Sequence, residues 1–216
     1  NSLNIYNEQE DNFNIYTSDP LENGSLSQMS VRNIFMDTQG GMWLGTYFGG
    51  INYYHPLKNR FRNLQFTAKP NSLNSNIINC IREDAQKGLW IGSNGGGVNY
   101  YNPQTGKFTR YTQKEGLGSN DVKAIYIDEA NKQVYIGTHT GGLSILHRRS
   151  GQIETYNRNS REKNIYAIEP TETGDFWMSG MSSILRFNPS QLSFSSITTQ
   201  SDGRPFLRER VSNFFR

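Results

Sequence analysis

The chain has 216 residues, enough to bury a sizeable core, yet only 34% of them are hydrophobic, 19% are charged and the formal net charge is +3. Glycine, at 21 residues, and aromatic residues, at 12%, are enriched instead, a mix that suits short strands joined by tight turns and does not suit a helical bundle. Acidic neighbours dilute the basic residues except at Arg204, Arg208, Arg210 and Arg216, so the dense basic stripe that a nucleic-acid partner requires is missing. The single Cys80 excludes an internal disulfide and a cysteine-rich metal site, and its apolar setting in Ile77-Ile78-Asn79-Cys80-Ile81 marks a buried thiol. No apolar run reaches membrane-spanning length, so no membrane contact is expected of this segment, and Asn1-Ser2-Leu3 does not open a signal peptide.

In chain order, Leu3 to Asn7 and Phe13 to Tyr16 match Ile51 to His55 and Phe108 to Tyr111 further on. Residues 1–16 therefore read as the second half of a unit, which marks the chain as a segment of a longer array. A polar connection from Thr17 to Ser30 carries the turn formers Asp19-Pro20 and Asn23-Gly24. The first complete unit covers residues 31–64: a strand from Val31 to Met36, the turn Asp37-Thr38-Gln39-Gly40, a strand holding Trp43, a third through Tyr53-Tyr54 and a fourth with Phe61. Residues 78–111, 122–156 and 165–197 repeat that order, the last opening with a strand from Ile165 to Glu169. Residues 200–216 lack the repeated phrase and are expected to begin a further unit or form a disordered end.

The phrase is clearest at Leu89-Trp90-Ile91-Gly92-Ser93-Asn94-Gly95-Gly96-Gly97-Val98. It recurs around Trp43, Tyr135 and Trp177, aromatic anchors spaced 47, 45 and 42 residues apart. A period in the forties with four strands per unit is the signature of a propeller blade. The fold class is thus all-β: a partial, open-arc β-propeller of four complete four-stranded blades preceded by a half blade. A seven-bladed ring at about 45 residues per blade needs roughly 315 residues, which leaves this chain an open arc or a borrower of blades from another copy. The large rings are expected to wedge against the next blade, with Gly45, Gly92 and Gly137 permitting close approach there. Gly49-Gly50, Gly96-Gly97 and Gly141-Gly142 make turns that need positive φ. Blade four has Ser182-Ser183 and one residue fewer, so its turn is expected to differ.

Turns from the second to the third strand share one face with the connections between blades. That face carries residues that vary from copy to copy: Tyr47, Phe48, Asn94, His139, Thr140 and Met181, the candidate ligand-binding set. His55 and His147 alternate with Asn102 and Asn188 at the end of the third strand, a placement that fits side-chain-to-backbone bonding. Asp37, Asp84 and Asp128 recur at one repeat position, which marks a turn residue and not a catalytic pair. No nucleophile elbow, phosphate loop, metal-ligand spacing or helix N-terminus is found. No catalytic residue, metal or cofactor is expected.

The sequence Val-x-x-Ile-x-x-Asp, then Leu-Trp-Ile-Gly-Ser/Thr, Gly-Gly-Val/Leu, Tyr-Asn-Pro and Phe-x-x-Tyr resembles the two-component regulator propeller repeat. Ile78, Ile81, Asp84, Gly88, Leu89 to Ser93, Gly96 to Val98, Tyr101 to Pro103, Phe108 and Tyr111 carry it. The resemblance implies the periplasmic sensor region of an inner-membrane-anchored hybrid two-component histidine kinase. It further implies an oligosaccharide as ligand, and self-association in a receptor dimer alongside the remaining blades of the parent propeller. The kinase domain lies outside this chain, so no enzymatic activity is expected of it, and the motif is scaffold that transfers no ligand residue. Two alternatives stand beside this: a protein-interaction platform without its own small-molecule site, and a lyase-like propeller enzyme, which needs a non-repeated acid–base pair on the loop face.

Overall fold

The computed structural model describes residues 2–19, 21–22, 24–55, 61–156, 162–181 and 183–197. All regular structure in them is antiparallel β-sheet. A two-stranded sheet of β1 (Leu3–Asn7) and β2 (Asn12–Tyr16) comes first. Blade one holds β3 (Val31–Met36), β4 (Met42–Thr46), β5 (Ile51–Tyr54) and β6 (Phe61–Leu64). Blade two holds β7 (Ile78–Glu83), β8 (Leu89–Ser93), β9 (Gly97–Asn102) and β10 (Lys107–Tyr111). Blade three has β11 (Val122–Asp128), β12 (Gln133–Thr138), β13 (Leu143–His147) and β14 (Ile153–Tyr156). Blade four has β15 (Ala167–Pro170), β16 (Phe176–Ser179), β17 (Ile184–Asn188) and β18 (Ser193–Ile197). Each four-stranded sheet pairs its strands in sequence order, the up-and-down connectivity of a propeller blade. Residues 198–216 lie outside the described part, and so does the expectation about 200–216.

The core is divided into four hydrophobic clusters, each lying across one boundary between neighbouring modules. Leu26, Met42, Leu44 and Phe61 of blade one pack with Leu3, Ile5 and Tyr16 of the half blade. Trp43 and Ile51 meet Ile78, Ile81, Leu89 and Ile91 of blade two. Trp90 and Val98 then meet Val122, Ile125, Val134 and Ile136 of blade three, and Tyr135 and Ile145 meet Ile165, Phe176 and Phe187 of blade four. The ring at Trp43, Trp90 or Tyr135 is therefore the contact that one blade offers the next, worth about 3–5 kcal/mol if truncated. Trp43, Trp90 and Tyr135 are 6%, 2% and 1% exposed. Trp177 is only half-buried, with the Arg186 guanidinium 5.9 Å from its ring centre, because no described blade follows blade four.

Two features of the phrase acquire a cause. A Cβ at Gly45, Gly92 or Gly137 would come within 2.7 Å of Ile78, 2.7 Å of Val122 or 2.6 Å of Ile165, the first β-branched residue of the following blade in each case. Gly50, Gly97 and Gly142 have φ of 75°, 72° and 76°, which an L side chain adopts only with strain. In blade four the Gly180 N–H instead donates to the Ser183 carbonyl, 2.8 Å away, so that turn closes over one residue fewer than the Thr46-to-Gly50 turn of blade one.

Three differences from the sequence expectation stand out. The connection at 17–30 is not merely polar: Leu26, like Leu73 and Leu117, lies five residues before its blade's first strand and is almost fully buried. The first strand of blade four starts at Ala167, because the Ile165 N–H is spent on the Thr138 carbonyl of blade three. Asn102 and Asn188 do accept backbone N–H groups, from Gln104 and Gln191, but the His147 ring meets a side chain, Gln133 Nε2, at 3.3 Å.

Candidate functional site

In blades one to three the first strand carries a β-bulge near its start, between Val31 and Asn33, Ile78 and Cys80, and Val122 and Ala124. The middle residue drops out of the ladder, which re-aims its side chain. Those residues are Arg32, Asn79 and Lys123, and Tyr166 holds the corresponding place in blade four. All four line an axial cavity of about 480 Å³, together with Asn33, Tyr47, Arg82, Asn94 and Glu169. These polar side chains share the wall with Ile77, Cys80, Ala124, Ile125, Ala167 and Ile168 of the innermost strands and their approach.

The residue after each second strand is pinned by its own backbone. Tyr47 N–H donates to Ser30, Asn94 N–H to Ile77 and His139 N–H to Asp121, at 3.0, 2.9 and 2.8 Å. Each acceptor lies just ahead of the same blade's first strand, so the turn entry is held beside the start of that strand. Tyr47 faces the Arg32 guanidinium at 4.4 Å, and His139 Nδ1 lies 3.3 Å from the Tyr166 hydroxyl. Asn79 Nδ2 donates to the Val122 carbonyl at 2.7 Å, and Lys123 pairs with Asp121 at 2.8 Å. Cys80 also touches the cavity, but its burial pushes the thiol up to about 11, which leaves it un-ionised at neutral pH.

Of the six residues singled out in the sequence, Tyr47 and Asn94 form part of the cavity wall, and His139 reaches it through Tyr166. Phe48, Thr140 and Met181 sit one residue further along, exposed at the turn tips. The Phe48 ring lies edge-on to Tyr47 with centroids 4.2 Å apart. Thr140, at φ +66°, donates its hydroxyl to the His139 carbonyl, and the Met181 N–H donates to Glu162 Oε1. Sequence reasoning passed over Arg32, Asn79, Arg82, Lys123, Tyr166 and Glu169. A signal was present, since Val-Arg-Asn-Ile, Ile-Asn-Cys-Ile, Val-Lys-Ala-Ile and Ile-Tyr-Ala-Ile each place a variable polar or aromatic residue second in a run bounded by β-branched apolar residues.

The repeated aspartates have a separate role on the opposite face. Asp37 accepts from the Gln39 and Gly41 N–H groups and from the Trp43 indole at 2.8 Å; Asp84 accepts from Gln86, Gly88 and the Trp90 indole at 3.1 Å. Among the described residues no group of three or more His, Cys, Asp or Glu is placed to hold a metal ion, and no helix is long and apolar enough to cross a membrane.

The two-component regulator propeller family matches residues 25–48 and 72–95, the opening halves of blades one and two. Comparison with curated proteins gives no match. Among solved structures, the extracellular domain of the hybrid two-component system BT3049 from B. thetaiotaomicron superposes with a TM-score of 0.76 at 24% identity, over 86% of this chain and 26% of that one. A second B. thetaiotaomicron extracellular domain, from BT4673, gives 0.69 at 23% identity over 82% and 25%. Virginiamycin B lyase from Staphylococcus aureus gives 0.67 at 14% identity over 94% and 64%. The chain spans about a quarter of the length of the two B. thetaiotaomicron domains. At such identities the shared property is the fold. This chain is an open arc of β-propeller blades, in which residues 25–48 and 72–95 match the two-component regulator propeller family.

Proposed function

We propose that the chain is a ligand-sensing part of the extracytoplasmic, periplasmic region of a hybrid two-component receptor, and that an oligosaccharide docks in its axial cavity. One observation carries this: residues that differ from blade to blade, Arg32, Asn79, Lys123 and Tyr166 on the first strands with Tyr47 and Asn94 at turn entry, line one cavity, whereas the residues that repeat are scaffold. Tyr47 supplies a ring face for a sugar, and Asn79, Asn94 and the His139–Tyr166 pair supply hydrogen-bonding groups for hydroxyls. The repeat family and the B. thetaiotaomicron extracellular domains support the setting. Catalysis is not part of the proposal.

Calorimetry of the chain against a panel of oligosaccharides tests it. A member of the panel should bind, and Tyr47→Ala and Asn94→Ala should weaken it about tenfold without changing the melting temperature. Unchanged affinity in both variants, or turnover of the bound sugar that His139→Ala abolishes, would overturn the assignment. A protein-interaction platform is the second reading, favoured by the exposed Tyr6, Phe13, Ile15, Ile34 and Met36 at the N-terminal end of the arc. It would show in the same samples as self-association that the cavity variants leave untouched.

A further inference from the structure

We propose that the saccharide this cavity takes is acidic, bearing a carboxylate or a sulfate ester, and that Arg32 grips the anionic group; this rests on the sensor reading above. The wall holds three cationic side chains, Arg32, Arg82 and Lys123, against one carboxylate, Glu169. The whole chain carries a formal net charge of only +3. With Lys123 offset by Asp121, two arginines still face one carboxylate, and that excess of positive charge in one concavity favours an anionic guest, since like charges held together are eased by a counter-charge and not by neutral hydroxyls.

The partners of these cations separate their roles. Lys123 is already paired with Asp121 at 2.8 Å. Arg82 spends one N–H on the Ile81 carbonyl at 2.9 Å. Arg32 is exposed, and among the described residues no carboxylate lies within ion-pairing distance of it or of Arg82. The Tyr47 ring supports the Arg32 guanidinium 4.4 Å away. A cation–π contact holds the plane of the group and leaves its N–H fork for a ligand, an arrangement suited to bidentate capture of a carboxylate or sulfate. The β-bulge that throws Arg32 out of the ladder places this fork at the axis. The volume of about 480 Å³ is in the range of pockets for drug-sized ligands, about 300–1,000 Å³, which favours a short acidic oligosaccharide over an extended polyanion.

The test is calorimetry of the chain with four probes: a neutral trisaccharide, trigalacturonate, a sulfated chondroitin disaccharide and sodium sulfate. Arg32→Gln is compared with Lys107→Gln, which removes the same charge from an exposed strand outside the cavity. An acidic sugar should bind in preference to the neutral one, weaken as salt rises, and lose about tenfold in affinity in Arg32→Gln but not in Lys107→Gln. Whichever of the uronate and the sulfated sugar binds identifies the anionic group. Preference for the neutral sugar, with affinity indifferent to Arg32→Gln, overturns the acidic class and leaves the sensor reading standing. Binding of sulfate alone, or of no sugar, overturns both. Circular dichroism melts of both variants confirm that any loss is not unfolding.

Discussion

Asp84 shows how much a single turn residue carries. Its carboxylate has no exposed surface, and it accepts from two backbone N–H groups, the Trp90 indole and Arg148 Nη2 at 2.9 Å. Arg148 comes from blade three and also pairs with Glu129, whose carboxyl is held below its ordinary value, first by the Ala85 N–H and then by Lys132 and Arg148. Blade two is thus tied to blade three at its rim as well as through its apolar faces. Asp37 makes the same turn and indole bonds, but among the described residues no arginine pairs with it. Asp84→Ala should therefore cost about 3 kcal/mol in a urea titration, because it strips a buried pair of one partner. Asp37→Ala should cost about 1–2 kcal/mol, the scale of its lost hydrogen bonds. Equal losses would show that the arginine contributes nothing. The sequence marks these aspartates as turn formers through their place ahead of a glycine. It is silent on the indole and Arg148 bonds, because neither partner's approach can be read from local spacing. Where Tyr135 replaces the tryptophan, the ring hydroxyl turns to Gln133 and Asp128 bonds Asn131 instead.

At the scale of the strand, the period and the four-strand order are legible because each blade must alternate glycine turns with β-branched runs. The bulges are not, because Val-Arg-Asn-Ile and Ile-Asn-Cys-Ile read equally well as regular strands. Only the paired partner shows that one residue is skipped, and that skip turns Arg32, Asn79 and Lys123 from strand residues into cavity residues. The candidate site was therefore half visible: its turn side through Tyr47, Asn94 and His139, its strand side only as an odd residue in each first-strand run, with nothing local to say that it leaves the ladder. The glycine of the repeated phrase is more readable, since only a missing side chain admits the next blade's β-branched residue. Gly45→Ala should cost about 1–3 kcal/mol, because the new methyl lies 2.7 Å from Ile78 Cγ2 and 3.0 Å from its Cβ. A urea titration checks the cost. A neutral result would mean that the blade boundary gives way freely.

For the molecule as a whole, stability follows from the order of the modules. One repeat position makes this plain: Ile81, Ile125 and Ile168 are 0%, 2% and 6% exposed, whereas Ile34 is 55% exposed. The residue type is identical, and the difference lies in whether another blade's inner strands stand in front of it. Blades two and three are covered on both faces, while blade one is covered on its inner strands from one side only and Trp177 of blade four is left half-buried. In an array whose neighbours supply each other's core, local opening should start where one neighbour is lacking. Native-state hydrogen exchange should then find the slowest amides in β8, β11 and β12. Those of β3 and β16 should exchange at least about tenfold faster, a gap of about 1.4 kcal/mol in opening free energy. The comparison is internal, because β3 and β11 share the same bulge, the same ladder and nearly the same length. Uniform protection across all four blades would mean that they open as one cooperative unit, and that coverage by neighbours does not set their stability.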